Sequence, residues 1–319
     1  MNNTTAEINT VLEQAYPAQI GYLQKIVESG KISTAYCIVG VPGGAQREMT
    51  RWFTDQLVQE SPHFFTTDIL EISATPPSHT IGIESAHAIR KHLALRANEG
   101  GRRLVIIHNA DELSISAANA LLKTIEEPAG NAHILMHSAH PELLPKTIQS
   151  RVQCIRTAQL SDAFTQSFIK EKGVDQADTA QLSHFVHGQL SRLIGSPDAE
   201  SIEWWKENMN FWITFFSSET GKRDTMLQER FLKTTKGNES SHQLLSMLEL
   251  LQQLLHEQLL STYGIHSARH PLSTAIDELA AQQDASLISR RLQLITTLQQ
   301  WTKDNTNKKM IFEYLTFVL

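Results

Sequence analysis

Cysteine is nearly absent from this chain: Cys37 and Cys154 are the only two in 319 residues. Two thiols cannot build a disulfide framework or a four-thiolate metal site, so no bound metal is expected. Such sparse usage fits a reducing cytoplasm. No apolar run reaches the ~18–20 residues that a membrane helix needs, and no membrane association is expected. The opening residues, MNNTTAEINTVLEQ, lack the basic and apolar stretches of a signal peptide. Cations are not in excess either. The formal net charge of −6 argues against a protein whose main task is to coat nucleic acid, although a small basic surface within a larger assembly stays compatible with it. Internal repeats and low-complexity runs are missing. The length suffices for two or three domains with sizeable cores.

What is present is clearest between Arg102 and Ile155. Leu104–Ile107 and Ile134–Met136 have the length and branching of buried strands. Between them Ala117, Ala120, Leu121 and Ile125 fall on one face of a helix, which Pro128 and Gly130 end. Strand, helix and strand with short connections form a right-handed parallel crossover unit. Function in such sheets gathers at the carboxyl ends of the strands, here His108–Glu112 and His137–Ala139. Earlier in the chain, residues 18–29 read as a helix and Ala35–Val39 as a strand. Gly40-Val41-Pro42-Gly43-Gly44-Ala45-Gln46-Arg47 then opens a second helix, running to about Glu60. A glycine-rich turn between strand and helix is where a phosphate-binding loop belongs. That loop needs glycine, lysine and a hydroxyl where this chain has Ala45, Gln46 and Arg47. Nothing there reaches the β and γ phosphates or ligates magnesium, so a relic turn that shapes the fold is favoured over a weak anion site.

Asp68–Ile72 reads as another strand, and Ile81-Gly82 opens a further helix. Gln153-Cys154-Ile155 completes a set of five strands. Leu143-Leu144-Pro145 and Ile148 form a short apolar helix that presents Ser150-Arg151. On the helix before it, Lys123, Glu126 and Glu127 are spaced as a solvated ion-pair face. Free thiols are usually buried, which is expected of Cys37 and Cys154.

The run Ala118-Asn119-Ala120-Leu121-Leu122-Lys123-Thr124-Ile125-Glu126-Glu127-Pro128, preceded by Ala110-Asp111 and followed by Ser150-Arg151, resembles the delta-prime subunits of bacterial DNA polymerase III clamp loaders. The gamma/tau subunits share part of it. The resemblance implies an AAA+-type α/β domain with a parallel five-stranded sheet over residues 1–158. A small helical lid (159–198) and an all-α collar (199–319) follow. Aligned back from Asn119, His108 and Asn109 occupy the positions of the catalytic Asp-Glu pair of active relatives, and neither supplies a carboxylate. Ser138 stands where such ATPases sense the γ phosphate. The four-cysteine zinc module that the family often carries is not matched. In the family's sheet order the fifth strand lies beside the first, which brings Cys37 near Cys154. Gly188-Gln189-Leu190-Ser191-Arg192 resembles the lid motif, which would make Arg192 a vestigial sensor; a surface or salt-bridge arginine is the favoured reading of the residue itself.

The implied function is that of the clamp-loader member that does not hydrolyse ATP. It needs no cofactor, braces the ring and lends Arg151, supported by Ser150, to a neighbour's site in trans. The implied partners are the gamma/tau and delta subunits, with the sliding clamp and primed DNA in the assembled complex. An active gamma/tau-type ATPase and a scaffold outside replication are the alternatives. Beyond Pro197-Asp198, read as a domain boundary, the chain is helical. Trp204, Trp205, Phe211, Trp212, Phe215 and Phe216 read as core, since a single basic residue, Lys206, interleaves them. Leu244, Leu248, Leu251, Leu255 and Leu259 form a packed stripe, as do Ile288, Leu292, Ile295, Leu298 and Trp301. The last segment, Met310–Leu319, is apolar almost all round and is expected to be buried.

Overall fold

The computed structural model describes residues 2–60, 66–74, 80–95, 102–128, 130–175, 179–180, 182–183, 186, 188–195, 199–234, 240–265, 273–303 and 308–319. Two compact units are present: Met1–Glu171 with Val186–Gly195, and Lys172–Phe185 with Ser196–Leu319. The segment 159–198 thus divides between them. The sequence-predicted boundary at Pro197-Asp198 lies outside the described residues.

The first unit is built on five parallel strands: β1 (Ala35–Val39), β2 (Ile69–Ile72), β3 (Arg103–Ile107), β4 (Ala132–Ser138) and β5 (Gln153–Arg156). Their order in the sheet is β2-β3-β4-β1-β5. The sheet is parallel and five-stranded, with the fifth strand beside the first, as the resemblance implied. β1 and β4 are buried along their whole length, which explains their continuous apolar runs. The helices are α1 (Asn2–Ala15), α2 (Pro17–Ser29), α3 (Gln46–Gln59), α4 (Ile83–Ala94), α5 (Ile115–Glu126), the single-turn α6 (Lys146–Gln149) and α7 (Asp162–Glu171). Helix α1 was not anticipated from the sequence. Pro17 opens α2 and Gly30, at φ 66°, closes it with its N–H on the Val27 carbonyl. Helix α5 starts at Ser114, whose Oγ accepts from the Ala117 N–H at 3.1 Å, a cap worth about 1 kcal/mol. Ala117, Ala118, Leu121 and Ile125 of α5 pack with Ile89 and Leu93 of α4 and with Val105, Ile107 and Met136 of the sheet. Truncating Leu121 in that core to alanine would cost about 2–5 kcal/mol.

Register places Cys37 of β1 opposite Cys154 of β5. Cys37 is buried, and burial pushes its thiol well above the usual range. Cys154, expected to be buried, is exposed, because β5 is an edge strand with only Ile155 facing the interior. The segment before Arg151 is also less regular than expected. Leu143 lies in a 3-10 turn, Pro141–Leu143, and is 63% exposed.

The second unit is helical, with helices Ala199–Ser217, Thr220–Thr234, Ser240–Thr262, Ser273–Ala281, Ala285–Lys303 and Lys308–Val318. Trp205, Trp212, Phe215 and Phe216 are buried against Leu244, Leu248, Leu251, Leu255, Ile288, Ile295 and Leu298. Both stripes and the aromatic cluster are therefore core. Arg223 caps the first of these helices by donating to the carbonyls of Phe215, Phe216 and Ser218. The last helix is amphipathic rather than wholly buried: Ile311 and Leu315 face the core, while Met310 is half exposed. Among the described residues no helix is long and apolar enough to cross a membrane.

Candidate functional site

The glycine-rich turn joins β1 to α3, and its interior is already filled. Gln46 is 4% exposed, and its side chain folds back under the loop. Its Nε2 donates to the Val41 carbonyl at 2.6 Å. Its Oε1 is buried without a hydrogen-bond partner. The Gly44 N–H donates to the same Val41 carbonyl. A Cβ added at Gly44 would lie 2.5 Å from Gln46 Oε1, and one at Gly40 would collide with Thr157 Oγ1 and approach Gln46 Cδ to 3.0 Å. At Gly43, with φ at +72°, an added Cβ would meet the Gln189 side chain at 2.6 Å. Glycine is needed here because the loop closes on its own glutamine and because Gln189 lies across its lip. Ala45 is fully buried, and Arg47 is exposed on the first turn of α3.

At the carboxyl ends of β2, β3 and β4 the side chains form a chain of hydrogen bonds. His108 Nε2 lies 3.0 Å from Glu71 Oε2, and His108 Nδ1 lies 3.0 Å from His137 Nε2. A carboxylate only accepts, so His108 carries its proton on Nε2. In neutral His108, Nδ1 then accepts from the His137 Nε2–H. Burial, then the neighbouring His108 and Arg47, push the His137 pKa down to about 4. The sheet register explains the meeting. Ile107 pairs with Met136, so the next residue of each strand is a histidine beside the other. Asn109 has φ 49°, a left-handed conformation that asparagine tolerates, and its Nδ2 donates to Glu112 Oε1 at 3.1 Å. It is a turn residue. Asp111 sits in the 3-10 turn Ala110–Glu112 and accepts a hydrogen bond from Ser138 Oγ. Ser138 is spent on that bond and on the His140 N–H.

Beside the loop, Arg47, Glu71 and His108 line a cavity of about 450 Å³ together with residues of α1 and α3. The residues present do not fit a nucleoside triphosphate with magnesium. The loop interior is occupied by Gln46, and His108 and Asn109 bring no carboxylate to a metal. Among the described residues no group of three or more histidines, cysteines or carboxylates is arranged to hold a metal ion.

Arg151 follows α6. Its Nε donates to Glu126 Oε1, and its Nη1 donates to the Thr147 carbonyl at 3.0 Å and to Ser150 Oγ at 3.2 Å. The Arg151 side chain is about one-third exposed. Nη2 is left without a bond inside the chain, among the described residues. The sequence reading had placed Glu126 in an ion-pair face with Lys123. The structure corrects this: Glu126 reaches Arg151 instead, because α6 packs against the end of α5. Arg192 lies in the helix Leu190–Gly195, and its side chain is outside the described residues.

Residues 15–161 match the family described as DNA polymerase III, delta subunit. Over 92 residues the chain is 33% identical to the DNA polymerase III subunit delta' of Haemophilus influenzae, covering 29% of this chain and 28% of that protein. Over 159 residues it is 25% identical to the delta' subunit of Pseudomonas aeruginosa, covering 45% and 48%. The chain therefore spans under half the length of these relatives. A DNA polymerase III gamma subunit-related protein of Thermotoga maritima superposes with a TM-score of 0.44 at 20% identity, over 88% of this chain and 99% of that one.

Proposed function

We propose that this chain is a non-hydrolysing, delta-prime-like subunit of a DNA polymerase III clamp loader. It binds the gamma/tau and delta subunits through a collar formed by residues 199–319. With them it loads the sliding clamp onto primed DNA in the cytoplasm. Its own loop takes no nucleotide. Arg151 reaches the ATP held by a neighbouring subunit and stabilises the charge that develops on the transferring phosphoryl group, with Ser150 and Glu126 holding its orientation. Arginines supplied in this way are worth about 10³–10⁵ in turnover.

The observation that carries this reading is an asymmetry within one domain. The chain's own loop is filled by Gln46, while Arg151 is held with its Nη2 left without a bond inside the chain, among the described residues. A domain that had simply lost its function would have no reason to hold that guanidinium with Glu126, a residue of the Ala118–Pro128 run. Tagged full-length chain purified from its own cells tests the role. The expected result is stoichiometric recovery of gamma/tau and delta. Recovery of the chain without any polymerase III subunit would overturn it.

A further inference from the structure

We propose that hydrogen peroxide closes a reversible disulfide between Cys37 of β1 and Cys154 of β5. These are the only two cysteines of the chain, and the sheet register sets them opposite one another. Paired positions on neighbouring strands lie about 4.7–4.9 Å apart. That is within the range of about 4.4–6.8 Å that disulfides span between Cα atoms. The two side chains also share a face of the sheet. Ala35, Cys37 and Val39 pack with Val152 in the core that holds α5. Tyr36 turns the other way, onto Phe53 of α3. Gln153 turns that way too, and its side chain accepts a hydrogen bond from Tyr22 of α2, which packs on α3. Cys154, the next residue of the strand, therefore points to the Cys37 side.

The thiols differ in access, and that sets the order of events. Cys154 is exposed and Cys37 is buried. Burial raises the Cys154 thiol, and the Arg156 guanidinium draws it back. Burial, then Cys154 and Asp111, raise the Cys37 thiol much further. A thiol so buried and so firmly protonated is inert to an oxidant in solution. It reacts only with a sulfur already beside it. Cys154 sulfur attacks one oxygen of the peroxide: the O–O bond breaks, an S–O bond forms, and the departing hydroxide takes the thiol proton as water, leaving a sulfenic acid. Cys37 sulfur then attacks Cys154 sulfur: the S–S bond forms, the S–O bond breaks, and hydroxide leaves with the Cys37 proton as a second water. The pair of thiols gives up two electrons, and the peroxide takes them. A disulfide draws its Cβ atoms to about 3.8 Å, nearer than the strand spacing, so one strand must yield. β5 is free to do so, being an edge strand exposed at all its positions except Ile155. Arg151 stands three positions before Cys154, so the bond ties the segment that carries it to the centre of the sheet. Disulfides of proteins in a reducing compartment are usually transient and redox-sensing. The inference does not depend on the clamp-loader role.

The test uses the full chain, fully reduced, freed of reductant and exposed to hydrogen peroxide. Remaining thiols are alkylated in urea, and the digested protein is analysed by mass spectrometry. The wild type should lose both free thiols and yield a linked pair of peptides carrying Cys37 and Cys154. It should run as a single chain on a non-reducing gel and recover both thiols with dithiothreitol. Cys154→Ser should keep Cys37 free under the same exposure, because nothing beside it is oxidised. Cys154 is exposed, so the serine should leave circular dichroism unchanged. Cys37→Ala should give no linked peptides and let Cys154 pass on to sulfinic and sulfonic acids. Wild type that keeps Cys37 free while Cys154 is over-oxidised, a disulfide that joins separate chains, or thiols that both survive the exposure would each overturn the proposal.

Discussion

Acidification should destabilise this protein through His137. The side chain is 5% exposed, and its pKa falls from 6.5 to about 4. The folded state therefore binds this proton more weakly than the unfolded chain. Stability is intact above pH 6.5 and is lost progressively as pH drops toward 4. Each pH unit of separation is worth about 1.4 kcal/mol. The full loss is thus about 3 kcal/mol, and about 2 kcal/mol of it is gone by pH 5. His137→Gln removes the titration while keeping an amide N–H that reaches His108 Nδ1. Urea unfolding of the wild type and the variant, followed by far-ultraviolet circular dichroism at pH 7 and pH 5, isolates the effect, because His133 and the carboxylates titrate in both. The wild type should lose about 2 kcal/mol more than the variant over that interval. Equal losses in the two proteins would refute the buried, neutral histidine and the hydrogen-bond chain that goes with it.

Other outcomes follow from the same side chains. Gly40→Ala should cost about 1–3 kcal/mol, since a Cβ there collides with Thr157 in a closed loop; a thermal melt unchanged from wild type would contradict this. Neither the wild type nor Gln46→Lys should bind ATP at micromolar nucleotide, because His108 and Asn109 still give magnesium no carboxylate; a saturable calorimetric titration in that range would show otherwise. Glu126→Ala should alter global stability by less than about 1 kcal/mol, as expected for an exposed pair. It should nonetheless slow clamp loading by the assembled complex several-fold, and unchanged loading would mean that Glu126 does not orient Arg151.

The sheet was legible because its strands are short, apolar and β-branched and because the helix between β3 and β4 repeats its apolar residues at helical spacing. Gln46 could be read as a missing lysine. That its carboxamide takes the loop's interior could not, because the fit depends on Val41 and Gly44 as folded. The His108–His137 contact was within reach of the sequence, since both residues stand one step beyond paired strand positions. What was needed was the register between strands, and local pattern does not supply it. Glu126 was assigned to Lys123 by helical spacing. Its partner lies 25 positions away, where only the packing of α6 on α5 brings Arg151 within reach. Cys154 was misjudged because burial on an edge strand depends on what covers the edge.

Reconstitution of the loader with Arg151→Ala tests the central claim most directly. DNA-dependent ATP hydrolysis, clamp loading and complex formation are measured side by side with the wild type. The complex should assemble normally, hydrolysis should fall in part because one neighbouring site is served, and clamp loading should fall severely. Arg151→Lys should rescue little, since an ammonium lacks the planar fork of the guanidinium. Unchanged loading with Arg151→Ala, or a complex that no longer assembles, would contradict the role assigned to Arg151 in trans.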